Sequence, residues 1–215
     1  MSVVIDVAVR RQASEPPRAA GRPLLLFLHG FGSHEGDLAG LASFLPGRFD
    51  WVSLRAPIVV SASGYAWFPI TTPGLPDPAS VISSTAAILD WLDANVDAST
   101  PIVPIGFSQG GLMVTQLLRQ APARFAAGVV LSGFSLDAEL PGDAELETTR
   151  PPVFFGRGDV DGVISPETTA RISAWLPGHS TLTEKVYPGL AHSISAEELA
   201  DVSAFLDDAV PAPNS

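Results

Sequence analysis

Ile102-Val103-Pro104-Ile105-Gly106-Phe107-Ser108-Gln109-Gly110-Gly111 is the stretch on which the reading of the whole chain turns. Residues 102–107 form an apolar strand and 111–120 carry a helical pattern, so Ser108 falls in a sharp strand-to-helix turn. Such a turn strains the backbone of its central residue. Side chains two positions to either side would collide with neighbouring backbone, which is the physical reason for Gly106 and Gly110. The same turn sets Ser108 at a helix start, with the backbone N–H of Gln109 aimed where an oxyanion would develop. Pro104 is the local conflict, because it removes a hydrogen-bond donor from a strand expected at the centre of a sheet.

Outward from this turn, further apolar runs occupy 24–28, 51–54, 129–131, 153–155 and 182–187, after an alternating strand within residues 1–11 and a turn over 15–21. Helical segments lie between them at 36–45, 78–96, 111–120, 166–176 and 196–209. The clearest is 78–96, where Val81, Ile82, Thr85, Ile88, Leu89, Leu92 and Val96 form one stripe behind an Asp77-Pro78 start signal. Strands alternating with helices imply a mostly parallel central sheet with helices on both faces. Residues 1–215 read as one domain, with a flexible tail at 211–215. Ligands in such sheets bind beyond the carboxyl ends of the strands, where this chain places His29-Gly30-Phe31-Gly32, Ser108–Gly111, Ser132-Gly133, 156–161 and 189–192.

Composition narrows the function classes. A net charge of −11 repels phosphate backbones and anionic lipid headgroups, so neither nucleic acid nor stable membrane association is expected. The chain has no cysteine, which removes disulfides, zinc–thiolate sites and a Cys nucleophile. No export signal is visible, and the apolar run 24–28 falls short of the roughly 20 residues a membrane helix needs, so a cytoplasmic location is expected. The histidines lack the spacing of an H-E-x-x-H site, so no metal is expected.

A serine hydroxyl is a weak nucleophile until a base, oriented by a carboxylate, takes its proton. The Ser108 turn resembles the nucleophile elbow of α/β-hydrolases, in which the partners follow in the order Ser, Asp/Glu, His. That order removes His29 and His34 as the base. His192 emerges after the last strand at the catalytic edge, whereas His179 reads as an exposed turn residue ahead of that strand. The loop after 153–155 offers Asp159 and Asp161; Asp161 is favoured because Val163-Ile164 can pack beneath the loop, while Asp159 can brace the turn. Phe31 is placed to give the second oxyanion N–H beside Gln109, and its side chain to line the acyl site; His29 is read as a loop brace. A proline-rich loop over 57–79 carries Tyr65, Trp67 and Phe68, either as a packed cover or as a wall of the cleft. The pocket expectation comprises Phe31, Trp67, Phe68 and Leu112. The connection 133–150 is too short for a separate cap domain.

Taken together, Leu28-His29-Gly30-Phe31-Gly32, Arg55-Ala56-Pro57, Trp67-Phe68, Gly106–Gly111, Leu131-Ser132-Gly133, Gly158-x-x-Asp161-x-Val163-Ile164 and His192 resemble the phospholipase/carboxylesterase family of small α/β-hydrolases, which includes acyl-protein thioesterases and bacterial carboxylesterases. The resemblance implies a Ser108/Asp161/His192 triad, an oxyanion hole from Phe31 and Gln109, no cofactor, and hydrolysis of carboxylic esters or thioesters. Members often carry an acidic residue after the Trp-Phe pair, where this chain has Pro69, and His-Gly where it has Arg157-Gly158, so no particular substrate follows.

The leading expectation is a carboxylesterase for small-molecule short- to medium-chain acyl esters. Thioesterase, lysophospholipase, lactone or perhydrolysis chemistry on the same residues is the enzymatic alternative, and a non-catalytic ligand receptor is the alternative from another class. A homodimer is left open.

Overall fold

The structure is a computed structural model that describes residues 3–10, 22–72 and 74–211. Its strands are β1 (Ala8–Arg10), β2 (Leu24–Leu28), β3 (Asp50–Leu54), β4 (Ile58–Val59), β5 (Tyr65–Ala66), β6 (Ile102–Phe107), β7 (Gly128–Leu131), β8 (Pro152–Gly158) and β9 (Thr181–Tyr187). Its α-helices are α1 (Pro78–Asn95), α2 (Gln109–Gln120), α3 (Asp143–Thr149), α4 (Pro166–His179) and α5 (Ala196–Ala209). The main sheet runs β1-β3-β2-β6-β7-β8-β9, parallel throughout except for β1 at one edge.

The central strands are apolar on both faces because both are covered. Leu24, Leu26 and Leu28 of β2 enter a core with Val81, Ile88 and Leu92 of α1, Leu112, Met113 and Leu117 of α2, and Ile172 of α4. Leu25 and Phe27 point the other way, to Val202, Phe205 and Leu206 of α5 and Leu38 of a short 3-10 helix, Leu38–Phe44. Each fully buried side chain of this size contributes about 1.5–3 kcal/mol. Pro104 sits opposite Leu26 in an unbroken β2–β6 register, and the β6–β7 register begins only at Ile105↔Val129. Pro104 therefore stands one residue before the β6–β7 pairing begins, where the ladder tolerates a missing donor.

Local chemistry sets the helix starts. Asp77 accepts from Ser80 N–H at 3.0 Å with Pro78 in the first turn of α1, Ser165 caps α4, and Ser195 caps α5. Among the described residues no helix is long and apolar enough to cross a membrane.

Several sequence expectations need correction. The first strand pairs only over Ala8–Arg10, against β3. The helix expected over 36–45 is a 3-10 helix confined to Leu38–Phe44 rather than an α-helix, in a stretch with glycines at 36 and 40. The 57–79 loop contains the β4–β5 hairpin, whose two-residue strands are too short for periodicity to show. Helix α3 lies in the 133–150 connection, where no helix was expected, because its seven residues bury only Leu146 and make no apolar stripe. His179 ends α4, half-buried and stacked on Trp175 at 4.3 Å, rather than standing in an exposed turn. The turn expected over 15–21 and all but the first residue of the 211–215 tail lie outside the described residues.

Gly110 packs where a Cβ would overlap the Leu28 carbonyl of β2, whereas a Cβ on Gly40 meets nothing within 4 Å. Gly110→Ala should therefore cost about 3 kcal/mol and lower Tm by roughly 6–12 °C. Gly40→Ala should move Tm by less than about 2 °C. Paired thermal unfolding curves check both, and equal Tm values would contradict the packing account.

Candidate active site

Ser108 stands at φ 55°, ψ −114°, a strained conformation held from several sides. Its N–H donates to Leu131 O of β7 at 2.9 Å, and its own carbonyl accepts from Leu112 N–H at 3.2 Å. A Cβ on Gly106 would overlap the Gly110 carbonyl, and one on Gly111 would lie 2.8 Å from Gly133 Cα. The turn can close only with glycines at these sites.

Two loops, one after β8 and one after β9, converge on this serine. His192 Nε2 lies 2.9 Å from Ser108 Oγ, and His192 Nδ1 lies 2.7 Å from Asp161 Oδ2. An ionised carboxylate only accepts, so Nδ1 carries the proton and Nε2 presents its lone pair to the serine hydroxyl. The imidazole rests against Phe107, ring centroids 4.8 Å apart. Asp161 Oδ1 accepts from the N–H groups of Val163 (2.8 Å) and Ile164 (3.1 Å). Burial works against ionisation of Asp161, but the hydrogen bonds from His192, Ile164 and Val163 outweigh it and hold the carboxyl below its usual range. A folded-state value below the unfolded one means that this carboxylate stabilises the fold at neutral pH and loses that contribution as pH falls through the acid range. The support for Asp161 matches the expectation in part: Ile164 packs against the core beneath the loop, but Val163 is 66% exposed, and the backbone N–H groups of both residues hold the carboxylate.

Asp159 does brace the turn, through a clamp between loops. Its Oδ1 accepts from Gly189 N–H at 2.6 Å, its own N–H donates to Tyr187 O, and Val160 N–H donates to Leu190 O. Gly158 permits this approach, since a Cβ there would overlap the Leu190 carbonyl. The segment carrying Asp161 is thereby stitched to the segment carrying His192.

Gln109 has a side-chain role that the sequence reading missed. Its Oε1 accepts from Trp67 N–H at 2.8 Å and its Nε2 donates to Phe68 O at 2.7 Å, so the residue after Ser108 clamps the backbone of the cavity wall. The available signal was a buried-size amide at a position where the turn itself needs only a backbone N–H. His29 braces the first loop, as expected: its Nε2 accepts from Ala56 N–H at 3.1 Å, its Nδ1 lies 2.8 Å from Gly30 O, and burial lowers its pKa and keeps it neutral.

Ser108 and His192 open into a cavity of about 400 Å³. Phe31 and Phe68 line it, together with Ile70, Phe134, Val163 and Ile164. Trp67 and Leu112, expected in the pocket, are fully buried in the core instead. Trp67 donates its Nε1–H to His29 O behind the wall, and Leu112 faces α1 and the sheet because the helical turn after Ser108 rotates it away. Phe134 and Ile70 were missed because a single apolar residue in a loop carries no pattern. Among the described residues no cluster of His, Asp or Glu has the grouping of a metal site.

The profile of a family described as Phospholipase/Carboxylesterase matches residues 11–210. Acyl-protein thioesterase 1 of Mycosarcoma maydis is 30% identical over 250 residues, covering 99% of this chain and all of that protein. A probable carboxylesterase of Oryza sativa subsp. japonica is 25% identical, covering 87% of this chain and 78% of its own. Among solved structures, the Bacillus cereus carboxylesterase superposes with a TM-score of 0.80 at 21% identity, covering 94% of this chain and 93% of that one, a likeness of fold.

The two acidic residues should separate on mutation. Asp161→Asn should lower ester turnover by roughly 10⁴-fold. Asp159→Asn keeps an acceptor for Gly189 and should stay within about threefold, with Asp159→Ala about tenfold down. Steady-state kinetics of the three variants check this, and a larger loss for Asp159→Asn than for Asp161→Asn would reverse the assignment.

Proposed function

The chain belongs to the phospholipase/carboxylesterase family of hydrolases, and from that premise we propose that it hydrolyses short- to medium-chain carboxylic esters through an acyl-enzyme formed on Ser108. The observation that carries this reading is the hydrogen-bond chain Ser108–His192–Asp161 at the mouth of an apolar cavity whose described lining includes no Asp, Glu, Lys or Arg. A cavity of about 400 Å³ falls at the small end of ligand pockets and suits an uncharged acyl group.

In the proposed reaction Ser108 Oγ attacks the ester carbonyl carbon as its proton passes to His192 Nε2. Asp161 accepts from Nδ1–H and stabilises the imidazolium. The carbonyl oxygen, now an oxyanion, is met by the backbone N–H groups of Gln109 and Phe31, a type of contact that contributes about 3–4 kcal/mol per donor. Collapse breaks the acyl C–O bond, and His192 returns the proton to the departing alcohol. Water then repeats the sequence, giving a proton to His192 and releasing the acid from Ser108. The relative named an acyl-protein thioesterase favours a second substrate for the same residues, a thioester in which a C–S bond breaks instead.

Ser108→Ala should reduce kcat by roughly 10⁵-fold or more on p-nitrophenyl esters from acetate to decanoate. Matched acyl thioesters in the same panel measure the ester-to-thioester ratio. Turnover by wild type no greater than by Ser108→Ala across both series would end the serine-hydrolase reading.

A further inference from the structure

Among the described residues, Glu198 is a carboxylate with no solvent exposure at all, and the proposed chemistry does not use it. It is the third residue of α5, the helix whose N-cap, Ser195, follows His192 by three positions. Ser195 Oγ accepts the Glu198 N–H at 3.0 Å. A serine cap with glutamate three residues on ordinarily makes a reciprocal box, the carboxylate reaching back to the cap's N–H at the helix end. Here the side chain turns inward. The Ser195 N–H leans towards it without completing a hydrogen bond, and neither Oε1 nor Oε2 has a protein partner among the described residues. Oε1 lies so close to Gly156 of β8 that a Cβ there would overlap it.

The surroundings offer it no positive charge. On α5 itself stand Glu197 and Asp201. On β9, Tyr187 donates its hydroxyl to Asp201 Oδ2 at 2.9 Å, and Lys185 Nζ lies 3.7 Å from Asp201 Oδ1, so both are directed to Asp201. On β8 the neighbouring groups are Gly156 and Phe154, Arg157 of that strand is directed to Glu184 of β9 at 3.5 Å, and the 3-10 segment packed on α5 has no ionisable side chain. An ionised carboxylate in this place would be desolvated and uncompensated, which costs several kcal/mol, whereas the neutral acid is tolerated. Burial pushes Glu198 up to about 7, outweighing the downward pull of the Ser195 N–H, and the negative Asp201 adds a smaller push in the same direction as burial.

We propose that Glu198 is a positioning residue that works as a neutral carboxylic acid: un-ionised, it seats the first turn of α5 on β8 and so fixes the loop that carries His192, and its ionisation loosens that seat. The kinetic part of the proposal rests on His192 being the base of the esterase reading; the structural part does not. The sign follows from linkage. The unfolded carboxyl ionises near its ordinary value while the folded one resists up to about 7, so stability falls as pH rises between those values and the deficit is constant above them.

The test uses wild type, Glu198→Gln and Glu198→Ala, with thermal unfolding and kcat and KM on a soluble p-nitrophenyl ester from pH 5 to 9. Glu198→Gln should match wild type in Tm and kcat at pH 5, melt several degrees higher at pH 8, and hold its kcat where wild type loses severalfold, with KM little changed. Glu198→Ala should melt lower at every pH. Superimposable pH profiles for wild type and Glu198→Gln would overturn the proposal, as would a loss of kcat in Glu198→Gln at pH 5. If no protein in the set hydrolyses the ester, the esterase reading fails, and the Tm profiles alone decide whether Glu198 is a buried neutral acid.

Discussion

The strained turn at Ser108 is the constraint on which the rest of the structure depends. Placing a serine at φ 55° between a central strand and a helix requires backbone to approach backbone, and α2 closes against β2 only because Gly110 presents no side chain to the Leu28 carbonyl. The cost of a non-glycine residue in such a conformation is about 1–3 kcal/mol, and it persists because the surroundings over-determine it. Ser108 N–H is taken by β7, its carbonyl by α2, and the apolar strands on either side are buried on both faces. Strain in one residue is offset by a core of dozens, and the hydroxyl is thereby presented at the carboxyl edge of the sheet.

The remaining parts of the site are attached to that edge by backbone hydrogen bonds more than by side-chain packing. Asp161 is fixed by two N–H groups of its own loop, the His192 loop by Asp159 and by Leu190, and the cavity wall by the amide of Gln109. This pattern gives rigidity where polar geometry matters and leaves apolar side chains such as Phe31, 45% exposed, free to meet a ligand. The buried acid Glu198 departs from that pattern one layer back, since its carboxyl oxygens have no protein partner among the described residues and its seat is one of packing, on the helix that follows the histidine loop.

What the sequence made legible follows from what periodicity and chain order can carry. Strands β2 and β6 and helix α5 are readable to the residue because long apolar runs and caps mark their ends. The convergence of Ser108, Asp161 and His192 follows from strand order, since loops at one edge of a parallel sheet must meet. The pocket was less legible. Leu112 follows Ser108 closely in sequence and Trp67 lies on the loop before α1, yet which way each points depends on the helical rotation after the turn and on the β4–β5 hairpin, and neither leaves a pattern in the residues themselves. The inward turn of Glu198 was equally hidden, because a serine cap followed by glutamate reads as surface chemistry until Gly156 is seen to make room for it.

In the proposed chemistry Ser108 is made nucleophilic by His192, and stoichiometric labelling with a fluorophosphonate, read by intact mass and by peptide mapping, is its sharpest test. One adduct per chain is expected, located on Ser108 and formed at least about 10³-fold more slowly in His192→Ala. Folded protein that remains unmodified, or an adduct that maps to another residue, would contradict it.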